Sequence, residues 1–243
     1  MPILLITGGS RGIGAATARL AAKRGYDIAV NYLRDERAAH AVVRDIETHG
    51  RRAVAIQGDM AKEEDVERVF ATVDSSLGRL THLVYNSGIV GKMSRIDKVE
   101  TQTLREVLDL NVLGALMSLR AAIPRISTAH GGKGGAIVLI SSAVATLGSA
   151  GEYVWYAASK GAVDSMTIGA AKEVAREGIR VNAVAPGPID TEIHEPGRLD
   201  RILPNVPLGR IGTPHDVAEA VMFLLSDAAI NITATIVRTA GGR

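Results

Sequence analysis

The chain has 243 residues, 47% of them apolar and 22% charged, and its 28 lysines and arginines against 26 aspartates and glutamates leave a net charge of +2. That apolar fraction excludes a disordered chain, and up to about 250 residues can share one core, so a single domain spanning 1–243 is expected. The basic residues are scattered among acids, which removes the polybasic stripe that nucleic acid requires, and the absence of cysteine excludes disulfides, zinc-thiolate sites and Fe–S clusters.

The chain opens on Ile3-Leu4-Leu5-Ile6, a short apolar run with no basic leader before it, which predicts a first strand and a cytoplasmic protein. Thr7-Gly8-Gly9-Ser10-Arg11-Gly12-Ile13-Gly14 then joins this strand to a helix starting near Ile13. Glycines there let the backbone turn sharply and let a pyrophosphate approach amides at the positive end of the helix dipole. The segment Gly8-Gly9-Ser10-Arg11-Gly12 also fits G-x-S-x-G, the nucleophile elbow of α/β-hydrolases. Only one strand precedes Ser10, however, so the earlier loop that must supply the oxyanion hole has no source.

Further apolar runs follow at Ile28–Val30, Val54–Ile56, Leu83–Val84, Ala136–Ile140, Val181–Val184 and Thr235–Val237. Helical spacing separates them: Val66, Val69, Phe70, Val73 and Leu77 mark one apolar face, a second helix covers about Thr103 to Arg120, and a third about Tyr156 to Glu177. The third has alanines on more than one face, as a helix buried against both sheet and neighbour would. This alternation predicts an α/β protein of Rossmann type, a doubly wound sheet of seven mostly parallel strands with helices on both faces. The longest uncharged stretch, Gly134 to Gly151, has only Ile137–Ile140 as its apolar centre and is too short to span a bilayer. Its approach, His130-Gly131-Gly132-Lys133-Gly134-Gly135, precedes a strand rather than opening a helix and reads as a flexible turn. The six histidines lie far apart, His40 and His49 being the closest pair, so no metal site is expected. Six of the eight prolines fall between Pro186 and Pro214, which predicts an irregular segment whose residues 191–207 cover a substrate.

Tyr156-Ala157-Ala158-Ser159-Lys160 sets a phenol and an ammonium four residues apart, on one helical face. A tyrosine, with its ordinary pKa of about 10, needs a neighbouring positive charge to exchange protons near neutrality, and Lys160 is placed to supply it. Ser141 and Ser142 end the fifth strand, at the carboxyl edge where open α/β sheets bind ligands.

Together these features resemble the short-chain dehydrogenase/reductase family in its classical form, over essentially the whole chain. Thr7 to Gly14 match its cofactor turn, Asp59 in Gly58-Asp59-Met60 its adenine-pocket acid, and Asn86-Ser87-Gly88 its N-x-G turn. Asn111 matches its helix asparagine, and Ser142, Tyr156 and Lys160 its active site. Pro186-Gly187-Pro188-Ile189-Asp190-Thr191 matches the segment that contacts nicotinamide. Three departures are visible: Ser87 replaces the usual alanine, Ser142 stands one residue further from Tyr156 than is common, and Ile232-Thr233-Ala234 replaces the T-G that enters the last strand.

The resemblance implies hydride transfer between nicotinamide and a small alcohol or ketone. Tyr156 would be general acid or base, Ser142 would hydrogen-bond the reacting oxygen, Lys160 would lower the Tyr156 pKa and hold the ribose, and Asn111 would support a water relay. The cofactor contacts it implies are Gly8, Ser10, Arg11, Gly12, Ile13, Gly14, Tyr32, Arg34, Asp59, Met60, Asn86, Ser87, Gly88, Tyr156, Lys160, Pro186, Gly187, Ile189 and Thr191. NAD-preferring relatives place an aspartate near position 32; Tyr32 stands here, with Arg34 and Arg11 able to reach a 2′-phosphate, so NADP is the expected cofactor. The run Gly148 to Tyr156 and the terminal Gly241-Gly242-Arg243 resemble a bacterial subgroup labelled glucose 1-dehydrogenase or SDR oxidoreductase, and a 3-oxoacyl thioester is another substrate to consider. A homotetramer is implied. A non-catalytic dinucleotide-binding regulator is the alternative; such proteins tend to lose the Tyr or the Lys, and both are present. Trp155 is expected either to line the substrate pocket or to pack at a subunit contact, and Tyr153, in the same loop, is the weaker candidate for the pocket.

Overall fold

The computed structural model describes residues 1–192 and 195–243. All seven apolar runs become strands: β1 (Ile3–Ile6), β2 (Asp27–Tyr32), β3 (Ala53–Gln57), β4 (His82–Tyr85), β5 (Gly135–Ile140), β6 (Ile179–Pro186) and β7 (Ile236–Thr239). Between them lie α1 (Gly12–Lys23), α2 (Glu36–Glu47), α3 (Glu63–Ser76), α4 (Thr101–Leu108), α5 (Gly114–Ile126), α6 (Val144–Leu147), α7 (Val154–Val174), α8 (Arg198–Ile202) and α9 (Pro214–Leu225). A wide π-type turn, Asp109–Leu113, joins α4 to α5.

The strands form one sheet in the order β3-β2-β1-β4-β5-β6-β7, and every pair is parallel. Parallel neighbours require crossovers, and the helices supply them on both faces. Leu4, Ile6, Val30, Val138 and Val184 pack with residues of α1, α2 and α9, while Leu5, Leu83, Ile137 and Val181 pack with residues of α3, α5 and α7. Strands buried on both faces explain why the sequence shows continuous apolar runs rather than alternation. The order reverses between β1 and β4, and in register Ile6 faces Val30 on one side and Val84 on the other. Turns leaving the carboxyl ends of these strands therefore share one edge, where doubly wound sheets open a crevice.

One long apolar run is used in the core, and three expectations change. The run Thr101–Ile126 is long and apolar enough, by length and composition, to cross a membrane; here Ala115, Met117, Leu119, Ala122 and Ile126 are spent on the core below the sheet. The α7 helix is not enclosed on all sides, since Ala158, Ser165, Ile168 and Gly169 form an exposed outer stripe. The proline-rich stretch is not structureless: it holds α8, a 3-10 turn at Leu203–Asn205, and a bridge from Ile189 to Gly212. Positions 193 and 194 of the expected covering loop lie outside the described residues. The glycine turn before β5 is packed rather than flexible, because a Cβ at Gly132 or Gly135 would strike the carbonyls of Ile126 and Thr81.

Ala234 stands where a glycine is usual in the resembled family, and it keeps the backbone that glycine would take, with φ of 61°. That left-handed conformation costs an alanine about 1–2 kcal/mol. The hydrogen bond from its amide to Val181 O, 2.8 Å, holds it there.

Candidate active site

A cleft of about 1710 Å³ runs along the carboxyl edge, from Arg34 and Asp35 beyond β2, across the glycine turn, to Ser142, Tyr153 and Tyr156. The first helical turn of α1 has no side-chain cap, which leaves its amides for an anionic ligand. Gly8 and Gly12 have φ of 60° and 51°, a conformation only glycine adopts freely. Gly14 sits behind the lining, and a Cβ there would collide with the Gly8 carbonyl and come within 2.7 Å of Asn86 Nδ2.

Side-chain hydrogen bonds fasten this turn to its neighbours. Thr7 Oγ1 accepts from the amides of Asn86 and Ser87, each at 3.0 Å, and Asn86 Nδ2 donates to the carbonyls of Thr7 (3.1 Å) and Gly8 (2.9 Å). Asn31, which no sequence motif pointed to, accepts from Gly8 N at 3.3 Å and donates to Gly58 O at 3.0 Å. It thereby ties the turns after β1, β2 and β3 together. The shaped turn, its uncapped amides and the length of the cleft fit a dinucleotide.

The expected cofactor residues Gly8, Ser10, Arg11, Gly12, Ile13, Tyr32, Arg34, Asp59, Met60, Asn86, Ser87, Gly88, Pro186, Gly187, Ile189 and Thr191 all line this cleft. Three contribute differently from expectation. Met60 is only 2% exposed and its side chain belongs to the core, Asp59 Oδ1 accepts from Ala61 N at 3.0 Å, and Arg11 pairs with Glu192 at 2.7 Å.

At the other end, α7 lies against β5. Lys160 is 4% exposed, and its Nζ donates to Ile140 O at 2.7 Å and stands 5.6 Å from the centre of the Tyr156 ring. Burial pulls its pKa down to about 8, and the Asp164 carboxylate one turn further along works against that. Ser141 and Ser142 diverge. The Ser141 hydroxyl is buried and donates to Asp164 Oδ1 at 2.5 Å, whereas Ser142 lines the cleft together with Tyr156, its Oγ donating to Pro186 O at 3.4 Å.

Burial holds the Tyr156 phenol above its ordinary value, and the opposing influences are the Ser142 hydroxyl and the charge of Arg198. Neither Asp164 nor Arg198 carries a motif in the sequence.

Asn111 is fully buried behind the lining. Its Oδ1 accepts from Ile89 N at 2.9 Å, and its Nδ2 donates to Ile89 O at 2.9 Å and Ser159 Oγ at 3.0 Å. The side chain is thus spent on structure, and a relay at this point has to use main-chain atoms. Tyr153, the weaker candidate, does line the cleft. Trp155 does neither of the things expected of it: its indole donates to Val90 O at 2.8 Å, and it packs inside the subunit with Val107 and Tyr153. Ser10, the nucleophile of the hydrolase reading, shares a cleft in which no histidine lines the wall among the described residues.

Comparison with known proteins agrees with this geometry. A family profile described as enoyl-(acyl carrier protein) reductase matches residues 8–243. An uncharacterized oxidoreductase of Escherichia coli K12, YgfF, is 45% identical over 247 residues, covering all of both chains. The chain belongs to the short-chain dehydrogenase/reductase family. A 3-oxoacyl-[acyl-carrier-protein] reductase of Staphylococcus aureus is 36% identical, with 98% of this chain and 96% of that protein aligned. Among solved structures, a short-chain dehydrogenase from Burkholderia cenocepacia in complex with NADP superposes with a TM-score of 0.93 at 34% identity, covering 99% of this chain and 97% of that one. The chain is accordingly an oxidoreductase of the NAD(P)-dependent type.

The close approach at Gly14 sets a test of the dinucleotide-binding turn. Gly14→Ala should weaken NADPH binding roughly tenfold or more, read by fluorescence titration, because the added methyl forces the turn off its geometry. Unchanged affinity would show that the turn does not hold the cofactor.

Proposed function

We propose that this protein uses NADP(H) to interconvert a small carbonyl compound and its alcohol, with Ser142, Tyr156 and Lys160 as the reacting group. One observation carries the reading: Ser142 and Tyr156 line the same cleft as the glycine turn, with the buried Lys160 ammonium beneath the Tyr156 ring. Two hydroxyls lining one cleft suit a carbonyl oxygen. That favours reduction of a C=O bond over the C=C bond implied by the family profile's description.

When bound, the dinucleotide supplies or accepts the hydride. The chain's own part is proton transfer and charge. Tyr156 Oη gives its proton to the substrate oxygen in reduction and takes it back in oxidation, while Ser142 holds that oxygen by a hydrogen bond. Lys160 keeps positive charge below the phenol and would hold the ribose of the dinucleotide. Ile189, Pro186 and Gly187 line the same cleft.

Three observations support NADP over NAD. Tyr32 is largely buried, so no acid stands at that position to repel a 2′-phosphate. The nearby Asp35 lines the cleft end, but its Oδ1 is engaged in capping α2, accepting from Ala38 N at 2.9 Å. Arg34 and Arg11 line the cleft beside it; the Arg11–Glu192 pair is exposed, so a phosphate can replace the carboxylate at little cost. A second solved relative, a blue fluorescent protein from a metagenomic library at 33% identity, was crystallised with NADPH.

The substrate is a carbonyl compound of the 3-oxoacyl or sugar type. The assembly we propose is a homotetramer, because Leu108, Leu113 and Leu116 along α4 and α5 and Ile168 on α7 stand exposed on one subunit and a second copy would cover them.

Two measurements test the reading. Tyr156→Phe should keep fold and NADPH affinity while turnover on a panel of ketones, sugars and acyl thioesters falls by roughly 10²-fold or more; near-wild-type turnover would remove Tyr156 from the chemistry. Arg34→Ala should raise the KM for NADPH about tenfold and leave NADH nearly unaffected. Equal losses with both cofactors would show that the 2′-phosphate is not read there.

A further inference from the structure

Arg198 opens α8, in the proline-rich segment, yet its side chain is only 12% exposed. Its Nη2 donates to Glu152 Oε2 at 2.7 Å, and its guanidinium carbon stands 5.4 Å from the centre of the Tyr153 ring. Glu152 and Tyr153 form the turn that leads into α7, so this contact joins the segment over the cleft to the approach of Tyr156 itself. Tyr153 adds a second link, its hydroxyl donating to Glu195 Oε1 at 3.4 Å. Tyr153 also meets Trp155 edge to face, with ring centres 6.2 Å apart, and Trp155 is anchored in the subunit interior. The guanidinium is therefore docked on a rigid platform.

An exposed ion pair contributes little because solvent screens it and both side chains lose freedom to make it. Arg198 differs on both counts, being mostly buried and fixed by stacking as well as by charge. The charged and titratable groups around the Tyr156 site come from each element packed there. Lys160 lies beneath the ring on α7, with Asp164 behind it, while Glu152 and Tyr153 come from the preceding turn and Glu195 and Arg198 from the covering segment. Arg198 is the cation among them that belongs to the covering segment.

We propose that Arg198 is a positioning residue of the proton-transfer step: docked on Glu152 and Tyr153, it holds the covering segment over Ser142 and Tyr156 and brings the phenol a second positive charge. The proposal rests on Tyr156 as the group that exchanges the proton. In reduction the Tyr156 O–H bond breaks as an O–H bond forms on the substrate oxygen, leaving a phenolate. Arg198 favours that phenolate electrostatically from the side facing the segment, as Lys160 does from below. The direction of the effect on the phenol agrees, since the Arg198 charge opposes the upward push of burial.

The test is a pH titration of phenolate ultraviolet absorbance in the NADPH-saturated protein, with Tyr156→Phe as the blank, so that it needs no substrate. Removing the cation destabilises the phenolate, so in Arg198→Met the Tyr156 midpoint should move to higher pH by about 0.5 or more, while Arg198→Lys keeps the wild-type midpoint. Arg198→Gln serves as a second neutral variant should the first fail to fold. NADPH affinity should stay unchanged in all of them. An unmoved midpoint in the neutral variants, or an equal shift in Arg198→Lys, overturns the proposal. Full turnover in Tyr156→Phe would instead refute the assignment of Tyr156, which this titration does not depend on.

Discussion

The hydrogen bond from Lys160 Nζ to Ile140 O, 2.7 Å long and almost sealed from solvent, fixes α7 against the end of β5. A buried ammonium is costly unless it is paired, so this position tolerates little displacement. The Ser141–Asp164 hydrogen bond makes a second tie between the same two elements one residue further on. With Ile140 and Ser141 both held against the helix, Ser142 is the first residue of that strand end free to face the cleft. Tyr156, one turn before Lys160, then lines the same cleft. The reacting geometry is thus a consequence of how one helix is pinned to one strand.

The cofactor end follows the same logic with neutral groups. Asn31, Asn86 and Thr7 use their side chains to hold three successive turns at fixed spacing. Polar groups fully engaged in this way cannot rearrange without leaving a buried donor unpaired, which makes the edge rigid before any ligand arrives. By contrast, the covering segment is held by charged side chains, Arg198 docked on Glu152 and Glu192 in an exposed pair with Arg11 that can exchange partners. A rigid floor and a partly exchangeable cover suit a site that must admit two ligands and then exclude water.

Much of this was legible in the chain itself. Each strand was marked by an apolar run because a parallel sheet buried on both faces demands one, and the strand ends were missed where pairing continues through polar residues such as Asp27, Asn31 and Tyr32. The serine pair resolved as alternation requires, with Ser141 turned inward and Ser142 outward. What stayed hidden depends on partners distant in sequence. Trp155 finds Val90 across 65 residues, Arg198 finds Glu152 across 46, and no local pattern announces either. The α8 helix was missed because five residues cannot show an apolar stripe. The partners that engage the Asn111 side chain lie on a neighbouring loop and helix, which spacing alone does not reveal.

The central claim is that one edge of the sheet orders a dinucleotide and a proton donor together, and a crystal structure of the NADP⁺ complex tests it most directly. The account predicts the pyrophosphate on the first-turn amides of α1, the 2′-phosphate beside Arg34, and the nicotinamide ribose within hydrogen-bond reach of Lys160 Nζ and Tyr156 Oη. A cofactor bound in the reverse direction, or with its nicotinamide away from Tyr156, would contradict it.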